Sequence, residues 1–337
     1  MDLPFLALLG LFGSIACTGF FIRVMRSTGS GQPIREYGPK IHEHKRGTPT
    51  MGGVPILLVF LLVLLANLVV LRIPLSTEAS LLIGATFCFG LIGLVDDLLK
   101  LLQQSSKGLL VRYKIIFQLL TAAGFLLIYF ASGAVSTSLV IPFMNGELQV
   151  SPLLFSIIAG FTFLGIVNAM NLTDGLDGLA SGVTLIILTA YGVILFATGL
   201  HGELFNVVLL FSAILVGFFI FNVFPAKIFL GDTGSMAMGG FIAALGILTH
   251  TELLLLLFAI IPVVETLSII LQLTAFRLFK TRIFKVSPLH HHFERAEGVD
   301  YAFLLPNIEW PETRITSVFW GVSALFATTG VLLYLFF

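Results

Sequence analysis

Charged side chains are scarce in this chain. Of its 337 residues only 11% are Asp, Glu, Lys or Arg, whereas 57% are hydrophobic, and the mean hydropathy is +1.05. A soluble domain cannot bury that much apolar side chain, and each helix that crosses a bilayer needs about 20 predominantly apolar residues. The composition therefore excludes a soluble protein and predicts an all-α membrane protein that crosses the bilayer many times.

Cysteine is also scarce, and the two residues, Cys17 and Cys88, both fall inside apolar runs. Two cysteines cannot supply the four ligands of a structural zinc site, and we do not expect a disulfide between them. Basic residues are missing before the first apolar run, where a secretory signal would have them, and Arg23 and Arg26 follow it instead. We therefore expect that run to be a membrane span and not a cleavable signal peptide.

Long apolar runs, by contrast, are abundant. They predict ten transmembrane helices in a single membrane domain, residues 1–337, over the approximate ranges 3–25, 50–71, 79–98, 113–132, 152–170, 178–198, 203–224, 234–250, 253–279 and 316–337. All but one of the 18 Lys and Arg residues follow spans 1, 3, 7 or 9, and the exception is Arg72. By the positive-inside rule the basic side is cytoplasmic, so both termini are expected outside the cytoplasm.

Two segments depart from plain spans. The longest outer loop predicts a small extracytoplasmic β-hairpin, because Ser138–Ile141 and Glu147–Val150 flank an Asn145-Gly146 turn; an unstructured loop is the alternative. The ninth span is longer than a straight crossing requires and contains Pro262, which predicts a broken helix near that residue. Glu265 then points into the bundle or a wet cavity, or acts as a structural carboxylate bonded to a neighbouring helix.

Polar residues interrupt the apolar runs at several places on the basic side. Charged groups at a membrane boundary are costly unless they bind something. A membrane protein that gathers carboxylates at one face is therefore expected to handle a metal ion and, with it, phosphate. The candidates come from four loops and are Asp96 and Asp97; Asn171, Asp174 and Asp177; Asp232; and His290, His291 and His292.

Each group of carboxylates has a structural alternative. Asp96 and Asp97 point about 100° apart if they lie on a helix. One of them can then face Mg²⁺, which prefers oxygen ligands, or both can simply end a solvated helix. Asp232 lies in Gly231–Ser235 just before a span, where it either binds a ligand or belongs to a turn.

Asp174 and Asp177 share a face if they start a helix. There they either bind a ligand, which Gly175 and Gly178 allow to approach the backbone closely, or cap the helix. The side chain of Asn171 has the donors and acceptors to recognise a uracil edge or a ribose.

Three consecutive histidines, His290–His292, suggest zinc, but consecutive side chains diverge and zinc sites usually use other spacings. Phosphate binding or proton transfer suits imidazole near neutral pH better. The stretch Gly47–Gly53, after Lys45 and Arg46, predicts either a loop that enters a helix or a basic lip for a phosphate. It is not a nucleotide P-loop, because no Gly-Lys-Ser/Thr follows.

Four motifs in this order carry a family resemblance. The sequences NAMNLTDGLDG at 168–178 and GDTGS at 231–235 resemble the polyprenyl-phosphate N-acetylhexosamine-1-phosphate transferase superfamily. The sequences GTPTMGG at 47–53 and PLHHHFE at 288–294 are similar to its phospho-MurNAc-pentapeptide translocase branch.

The resemblance implies a reaction and a setting. The reaction transfers phospho-MurNAc-pentapeptide from UDP-MurNAc-pentapeptide to undecaprenyl phosphate, which gives lipid I and UMP in peptidoglycan synthesis, with Mg²⁺ as cofactor. The implied setting is a homodimer in the bacterial inner membrane, with ten spans, a broken ninth helix and a cytoplasmic-face active site. Membrane lipids are implied partners and nucleic acid is not.

The resemblance also implies roles for individual residues. By likeness Asp232 holds Mg²⁺ and is catalytic together with Asp96, Asp97 and His290. The residues implied in binding the nucleotide-sugar substrate are Lys45, Asn171, Asp174, Gly175, Leu176, Asp177, Asn222, Phe229, Gln272, His291 and His292.

One segment departs from the family pattern. Trp310-Pro311-Glu312 follows the histidines only after a longer segment, 295–309, which we expect to cover the site or contact the peptide. The nearest rival function is a transferase that uses UDP-GlcNAc, against which the three histidines argue. A secondary transporter is a remote rival, because transporters place ion sites near the bilayer midplane and these clusters, Glu265 apart, lie at the rim.

Overall fold

The computed structural model describes residues 3–27, 47–71, 75–105, 108–133, 136–141, 146–199, 202–295, 299 and 301–336. These residues are mostly helical, with one small sheet. In chain order the elements are α1 (Leu3–Ser27), α2 (Gly53–Ala66), α3 (Thr77–Leu102), α4 (Val111–Ala131), β1 (Ser138–Val140), β2 (Glu147–Gln149), α5 (Pro152–Thr173), α6 (Leu179–Thr198), α7 (Gly202–Asn222), α8 (Gly231–Leu248), α9 (Leu255–Phe258), α10 (Ile260–Phe279), α11 (Leu289–Phe293) and α12 (Glu312–Phe336).

Nine of the helices in the described part of the chain are long and apolar enough to cross a membrane, namely α1, α3 to α8, α10 and α12. The sequence-based prediction of a multi-pass helical membrane protein is therefore confirmed. The count of ten is not, because the second predicted span contains an α-helix of only 14 residues, α2. A π-helical turn, Asn67–Leu71, continues that helix.

The bundle is apolar on the outside, and its central helix is rich in small residues. Phe161, Leu127 and Phe196 are 74%, 72% and 75% exposed, a placement that suits lipid and not water. Helix α8, rich in Gly and Ala, lies at the centre and packs against α3, α5 and α2. A Cβ atom on Gly239 would lie 2.6 Å from Cα of Val167, so glycine lets α8 approach α5 closely, as small residues do in membrane helix pairs.

The predicted hairpin is present. Strands β1 and β2 pair antiparallel with Leu139 opposite Leu148. The N–H of Val140 donates to the carbonyl of His250, 2.9 Å away, just beyond the end of α8. The hairpin therefore lies at the end of the bundle where α8 finishes, opposite the end where the carboxylates gather.

The helix break lies slightly before its predicted position. Helix α9 ends at Phe258, and α10 begins at Ile260 after Ala259, whose φ of −101° and ψ of 32° leave the α-helical region. Pro262 falls in the first turn of α10, where the missing N–H of proline is tolerated. The proline thus marks the start of the second segment and not a kink inside one helix.

Candidate active site

Three carboxylates from two helices meet at one end of the bundle. Asp96 and Asp97 of α3 and Asp232 in the first turn of α8 each offer an oxygen, and these oxygens lie within 4.8 Å of one another. A Cβ atom on Gly93, one turn before Asp96, would collide with the backbone of Asp232. Glycine at that position therefore allows α3 and α8 to bring the three acids together.

Asp97 caps the start of α8 from a neighbouring helix. Its carboxylate accepts from N–H and Oγ1 of Thr233 at 2.9 and 2.7 Å, and from N–H of Asp232 at 3.1 Å. A helix N-terminus leaves its first N–H groups unpaired and favours negative charge. Asp96 and Asp97 are only 2% and 5% exposed, so the alternative of a solvated helix end is wrong.

Two lysines complete the cluster. Nζ of Lys100 lies 2.6 Å from Oδ2 of Asp96 and 3.1 Å from Oδ2 of Asp232. Nζ of Lys114, on α4, lies 2.6 Å from Oδ2 of Asp232 and 3.9 Å from Oδ1 of Asp96. In the sequence, these lysines indicated only the orientation of the chain in the membrane. The i, i+4 spacing of Asp96 and Lys100 could have predicted their ion pair. No pattern in the sequence indicates that Lys114 reaches Asp232 from another helix.

The donor set at this cluster suits a hard cation. Nδ2 of Asn171 donates to Oδ1 of Asp232 at 3.0 Å and to Oγ of Ser235 at 2.9 Å, so the amide fixes the carboxylate of Asp232. Carboxylate, hydroxyl and amide oxygens are the ligands that Mg²⁺ takes in proteins, with water and phosphate oxygens completing its octahedron. The residues present therefore fit Mg²⁺, with Asp232 at the centre of the acidic group.

Asp174 and Asp177 do not start a helix. Asp174 ends α5 as its C-cap, and α6 begins only at Leu179. Burial, together with the charges of Asp232 and Asp97, raises the pKa of Asp174 to about 8, against the N–H of Gly231, which donates to it. The Asp174 carboxyl therefore belongs electrostatically to the acidic cluster.

Asp177 belongs to a different part of the structure. Its Oδ2 accepts from the N–H of Ala226 at 2.9 Å, and its own N–H donates to Oε1 of Glu312. Asp177 thus ties together the connections after α5 and α7. It shares no helix face with Asp174.

His290 lies over the turn between α5 and α6. A Cβ atom on Gly175 would collide with Nε2 of the imidazole. Nδ1 lies 3.2 Å from Oε1 of Glu265, outside hydrogen-bond alignment, while the N–H of His290 donates to both Glu265 oxygens at 3.2 and 3.3 Å. Glu265 is fully buried and fixes α11, so its carboxylate is structural and is bonded to this short helix. Nε2 of His290 has no hydrogen-bond partner among the described residues.

The other two histidines diverge, as expected from consecutive positions. Nδ1 of His291 lies 2.5 Å from Oε2 of Glu294. Nδ1 of the buried His292 accepts from the N–H of Lys285 at 3.0 Å. Burial and the positive charge of Lys285 lower the pKa of His292, against a hydrogen bond with the backbone of Pro306. His292 is therefore held as a neutral link between two loops.

The segment after the histidines packs on the loop that follows α10. Nζ of Lys285, only 2% exposed, donates to the carbonyl of Glu294 at 2.6 Å and to Oδ1 of Asn307 at 2.9 Å. The guanidinium of Arg282 lies 3.8 Å from the ring centre of Tyr301. The described part of the 295–309 segment thus packs against the loop after α10 and near the end of α11.

Two further candidate side chains are engaged in holding loops. The amide of Asn222 donates to the carbonyl of Ile228 at 3.0 Å and accepts from Oγ of Ser181 at 2.6 Å. Oε1 of Gln272 accepts from the N–H groups of Ile283 and Phe284, at 3.0 and 2.9 Å. The structure therefore gives both amides a folding role, which sequence alone did not indicate.

The Gly47–Gly53 stretch packs against the entry to α8. The N–H of Gly52 donates to the carbonyl of Phe229 at 2.9 Å, and the N–H of Phe229 donates to the carbonyl of Pro49 at 2.8 Å. A Cβ atom on Gly53 would collide with the backbone of Gly234. Of the two alternatives, the loop-to-helix entry is what the described residues show. Leu176 is buried, and Lys45 lies outside the described residues.

Comparisons with known proteins identify the family of the chain. A model of glycosyl transferase family 4 matches residues 79–250, and the phospho-N-acetylmuramoyl-pentapeptide-transferase signature 1 matches residues 45–57. A protein of that name from Geobacillus kaustophilus is 41% identical over 319 residues, covering 94% of this chain and 93% of the relative. Its counterpart in Clostridium perfringens is 40% identical over 296 residues, covering 88% of this chain and 85% of the relative. The chain therefore belongs to the phospho-N-acetylmuramoyl-pentapeptide-transferase family of membrane enzymes.

Proposed function

We propose that this protein transfers phospho-MurNAc-pentapeptide from UDP-MurNAc-pentapeptide to undecaprenyl phosphate, forming lipid I and releasing UMP in peptidoglycan synthesis. The relatives named above are transferases of the phospho-MurNAc-pentapeptide. The observation that carries the proposal is the cluster of three carboxylates and two lysines at one end of the bundle.

The cluster has the charge that this reaction needs. Both substrates carry phosphate, and two anions approach each other only where positive charge neutralises them. Lys100 and Lys114 supply that charge beside the carboxylates. Mg²⁺, when bound at Asp232, adds further positive charge against the diphosphate.

The transfer itself is a displacement at phosphorus. An oxygen of the lipid phosphate attacks the β-phosphorus of the nucleotide sugar, and a new P–O bond forms. The bond from the β-phosphorus to the bridging oxygen breaks, and UMP leaves with that oxygen and the electron pair. A phosphate monoester with a second pKa of about 6 is already largely ionised near neutral pH, so the lipid phosphate is itself a competent nucleophile.

The geometry favours different roles for the two adjacent acids. Asp97 has three donors from the start of α8, so its carboxylate positions Asp232. Asp96 faces Lys100 and Lys114 instead. We assign Asp96 the role of orienting the acceptor phosphate or taking its last proton.

The nucleotide-sugar side is proposed around His290. The unpartnered Nε2 above Gly175 suits a phosphate oxygen of the donor. Asn171, Asp174, Leu176, Phe229, His291 and Lys45 are proposed to line this side. Asp177, Asn222, Gln272 and His292 shape it through the loops that they hold.

The finer architecture is also proposed. Residues 53–71 form the tenth span, and α9 with α10 form one broken crossing. The basic loops and the active site face the cytoplasm of a bacterial inner membrane by the positive-inside rule, and both termini face outward. The homodimer stays a prediction from the family resemblance.

Donor choice tests the proposal. The purified chain is mixed with undecaprenyl phosphate, Mg²⁺ and either UDP-MurNAc-pentapeptide or UDP-GlcNAc, and UMP release is measured. We expect release with the muropeptide nucleotide alone. Release with UDP-GlcNAc alone would keep the phosphoryl-transfer chemistry and overturn the substrate. No UMP release with either nucleotide sugar, in a folded sample supplied with lipid, would refute the proposed transferase activity.

A further inference from the structure

Apolar side chains lie exposed along residues 301–310, here called the 301–310 segment. Leu304 is 69% exposed, and Leu305 and Ile308 are also exposed. Large apolar side chains that are exposed as a group mark a contact with a protein, a ligand or a membrane. The patch belongs to the longer segment between the histidines and Trp310, at which this chain departs from the family pattern.

The backbone of the 301–310 segment is fixed, so its apolar side chains are held outward. Phe303 forms a parallel bridge with Arg282, and the N–H of Leu304 donates to the carbonyl of Arg282 at 3.0 Å. The ring of Phe303 lies 6.0 Å from the ring of the buried His292. Successive side chains of extended backbone point to opposite sides. The contact that holds Phe303 inside therefore keeps Leu304 outside.

The patch continues the exposed apolar surface of α10. That helix ends at Phe279, whose side chain is 74% exposed, beside the exposed Leu278. Leu304 pairs with Arg282, which is three residues after Phe279. Three residues extend at most ~11 Å, so Leu304 lies near the level at which α10 ends. A membrane-spanning helix ends where the hydrocarbon layer gives way to the headgroups, and the patch lies beside that boundary.

Basic side chains flank the patch. Lys280 is exposed directly after α10, and the guanidinium of Arg282 lies 3.8 Å from the ring centre of Tyr301. A stacked guanidinium still directs N–H groups outward in its own plane, where they donate well to a phosphate. The chain has no Asp or Glu between Glu265 and Glu294. Cations beside apolar side chains are typical of segments that lie on an anionic membrane surface.

We propose that the 301–310 segment lies in the membrane surface beside the end of α10. Its exposed apolar side chains contact acyl chains, while Lys280 and Arg282 bind the phosphates of anionic phospholipids. This inference goes beyond the proposed reaction and does not depend on it. A polar peptide bound here would leave Leu304 and Ile308 in water, whereas a membrane surface covers the apolar side chains and meets the cations.

The one acid within the 301–310 segment does not oppose this placement. Oε1 of Glu309 lies 3.9 Å from Nζ of Lys285, and Oε2 lies 4.0 Å from Nε of Arg295. The negative charge of Glu309 is therefore balanced by two cations of its own, and Lys280 and Arg282 remain as the positive charge beside Leu304.

Fluorescence quenching by lipids tests the placement. Leu304→Cys is made together with Cys17→Ser and Cys88→Ser, which remove the two native cysteines, and is labelled with an environment-sensitive dye. The protein is reconstituted in phosphatidylcholine vesicles, with or without phosphatidylglycerol, that contain a lipid with a spin label on its acyl chain. Gln103→Cys, at the exposed C-cap of α3, is the control. We expect quenching at position 304 to be at least about threefold stronger than in the control, because interfacial segments reach about 5–10 Å into the bilayer.

Lys280→Gln, combined with Leu304→Cys, tests the headgroup contact. Phosphatidylglycerol is expected to increase quenching at position 304. Lys280→Gln should raise the amount of phosphatidylglycerol needed for half-maximal quenching by about fivefold, because one cation near an anionic surface is lost. Arg26→Gln removes an exposed cation from the last turn of α1 and should leave this amount unchanged.

Two results would overturn the proposal. One is quenching at position 304 that is no stronger than in Gln103→Cys in both kinds of vesicle. The other is a dye signal that responds to UDP-MurNAc-pentapeptide and not to lipid, which would assign the segment to the substrate. An equal phosphatidylglycerol requirement with and without Lys280→Gln would contradict the headgroup contact.

A measurement on the wild type covers labelled variants that fail to fold. Hydrogen–deuterium exchange is followed in vesicles with and without phosphatidylglycerol. Slower exchange of the 301–310 segment with phosphatidylglycerol supports the proposal, and equal exchange in the two kinds of vesicle contradicts it.

Discussion

At the scale of single residues, the two adjacent acids of α3 have different partners, which predicts different roles for them. Asp96→Asn is expected to lower kcat for UMP release by about 10²–10³-fold with a smaller fall in Tm than Asp97→Asn, because Lys100 and Lys114 still pair with Asp232 in that variant. Asp97→Asn is expected to lower both kcat and Tm, because three hydrogen bonds to the start of α8 depend on its charge. Equal Tm losses in the two variants would contradict the division of roles.

Glu252 is a residue whose effect should appear in stability and not in turnover. It is 5% exposed, its oxygens have no hydrogen-bond partner among the described residues, and burial raises its pKa from 4.5 to about 8. The folded protein then holds a proton that the unfolded chain releases, so stability falls as the pH rises from about 4.5 to about 8.

The variant Glu252→Gln isolates this effect, because its amide does not titrate. We expect its Tm to depend less on pH across that range than the Tm of the wild type, with UMP release unchanged near neutral pH. Glu147→Gln, at an exposed position of β2, is the control. Parallel pH profiles for Glu252→Gln and the wild type would show that the Glu252 carboxyl does not titrate as argued.

At the scale of elements, the placement of the start of α8 determines the position of Asp232 in the candidate site. It is held by Asp97 from α3, and by backbone contact with Gly53 at the start of α2. The variant Gly53→Ala is expected to lose most UMP release, because the added Cβ atom forces α8 away from α2 and moves Asp232. Gly192→Ala, in open space on α6, should remain active. Full activity of Gly53→Ala would show that the site tolerates a displaced α8.

The loop after α10 depends on one buried cation. Lys285→Met removes the hydrogen bonds that Nζ donates to the carbonyl of Glu294 and to Oδ1 of Asn307, which weakens the packing of these buried groups. We expect faster proteolytic cleavage within 295–309 than in the wild type. Arg277→Met, which removes an exposed charge on α10, is the control. Equal cleavage rates for the two variants would show that Lys285 does not hold this loop in place.

At the scale of the whole molecule, the sequence predicted the class of fold because apolar runs and basic loops are properties of composition along the chain. The sequence also predicted that the carboxylates and histidines lie at one end of the bundle, because charged groups at a membrane boundary are costly unless they bind something. Contacts between side chains of different helices could not be predicted from the sequence. Nothing in the spacing shows that Lys114 reaches Asp232 or that Gln272 folds the loop after α10, because such pairs depend on packing between distant segments.

The cluster at the start of α8 is proposed to carry out the transfer from a muropeptide nucleotide to a lipid phosphate. To test this, UMP release from UDP-MurNAc-pentapeptide and undecaprenyl phosphate is measured for the wild type and for Asp232→Asn over a Mg²⁺ titration, with Glu147→Gln as control. We predict Mg²⁺-dependent release by the wild type and the control, and none by Asp232→Asn at any Mg²⁺ concentration. Wild-type rates in Asp232→Asn would contradict the assignment of this cluster.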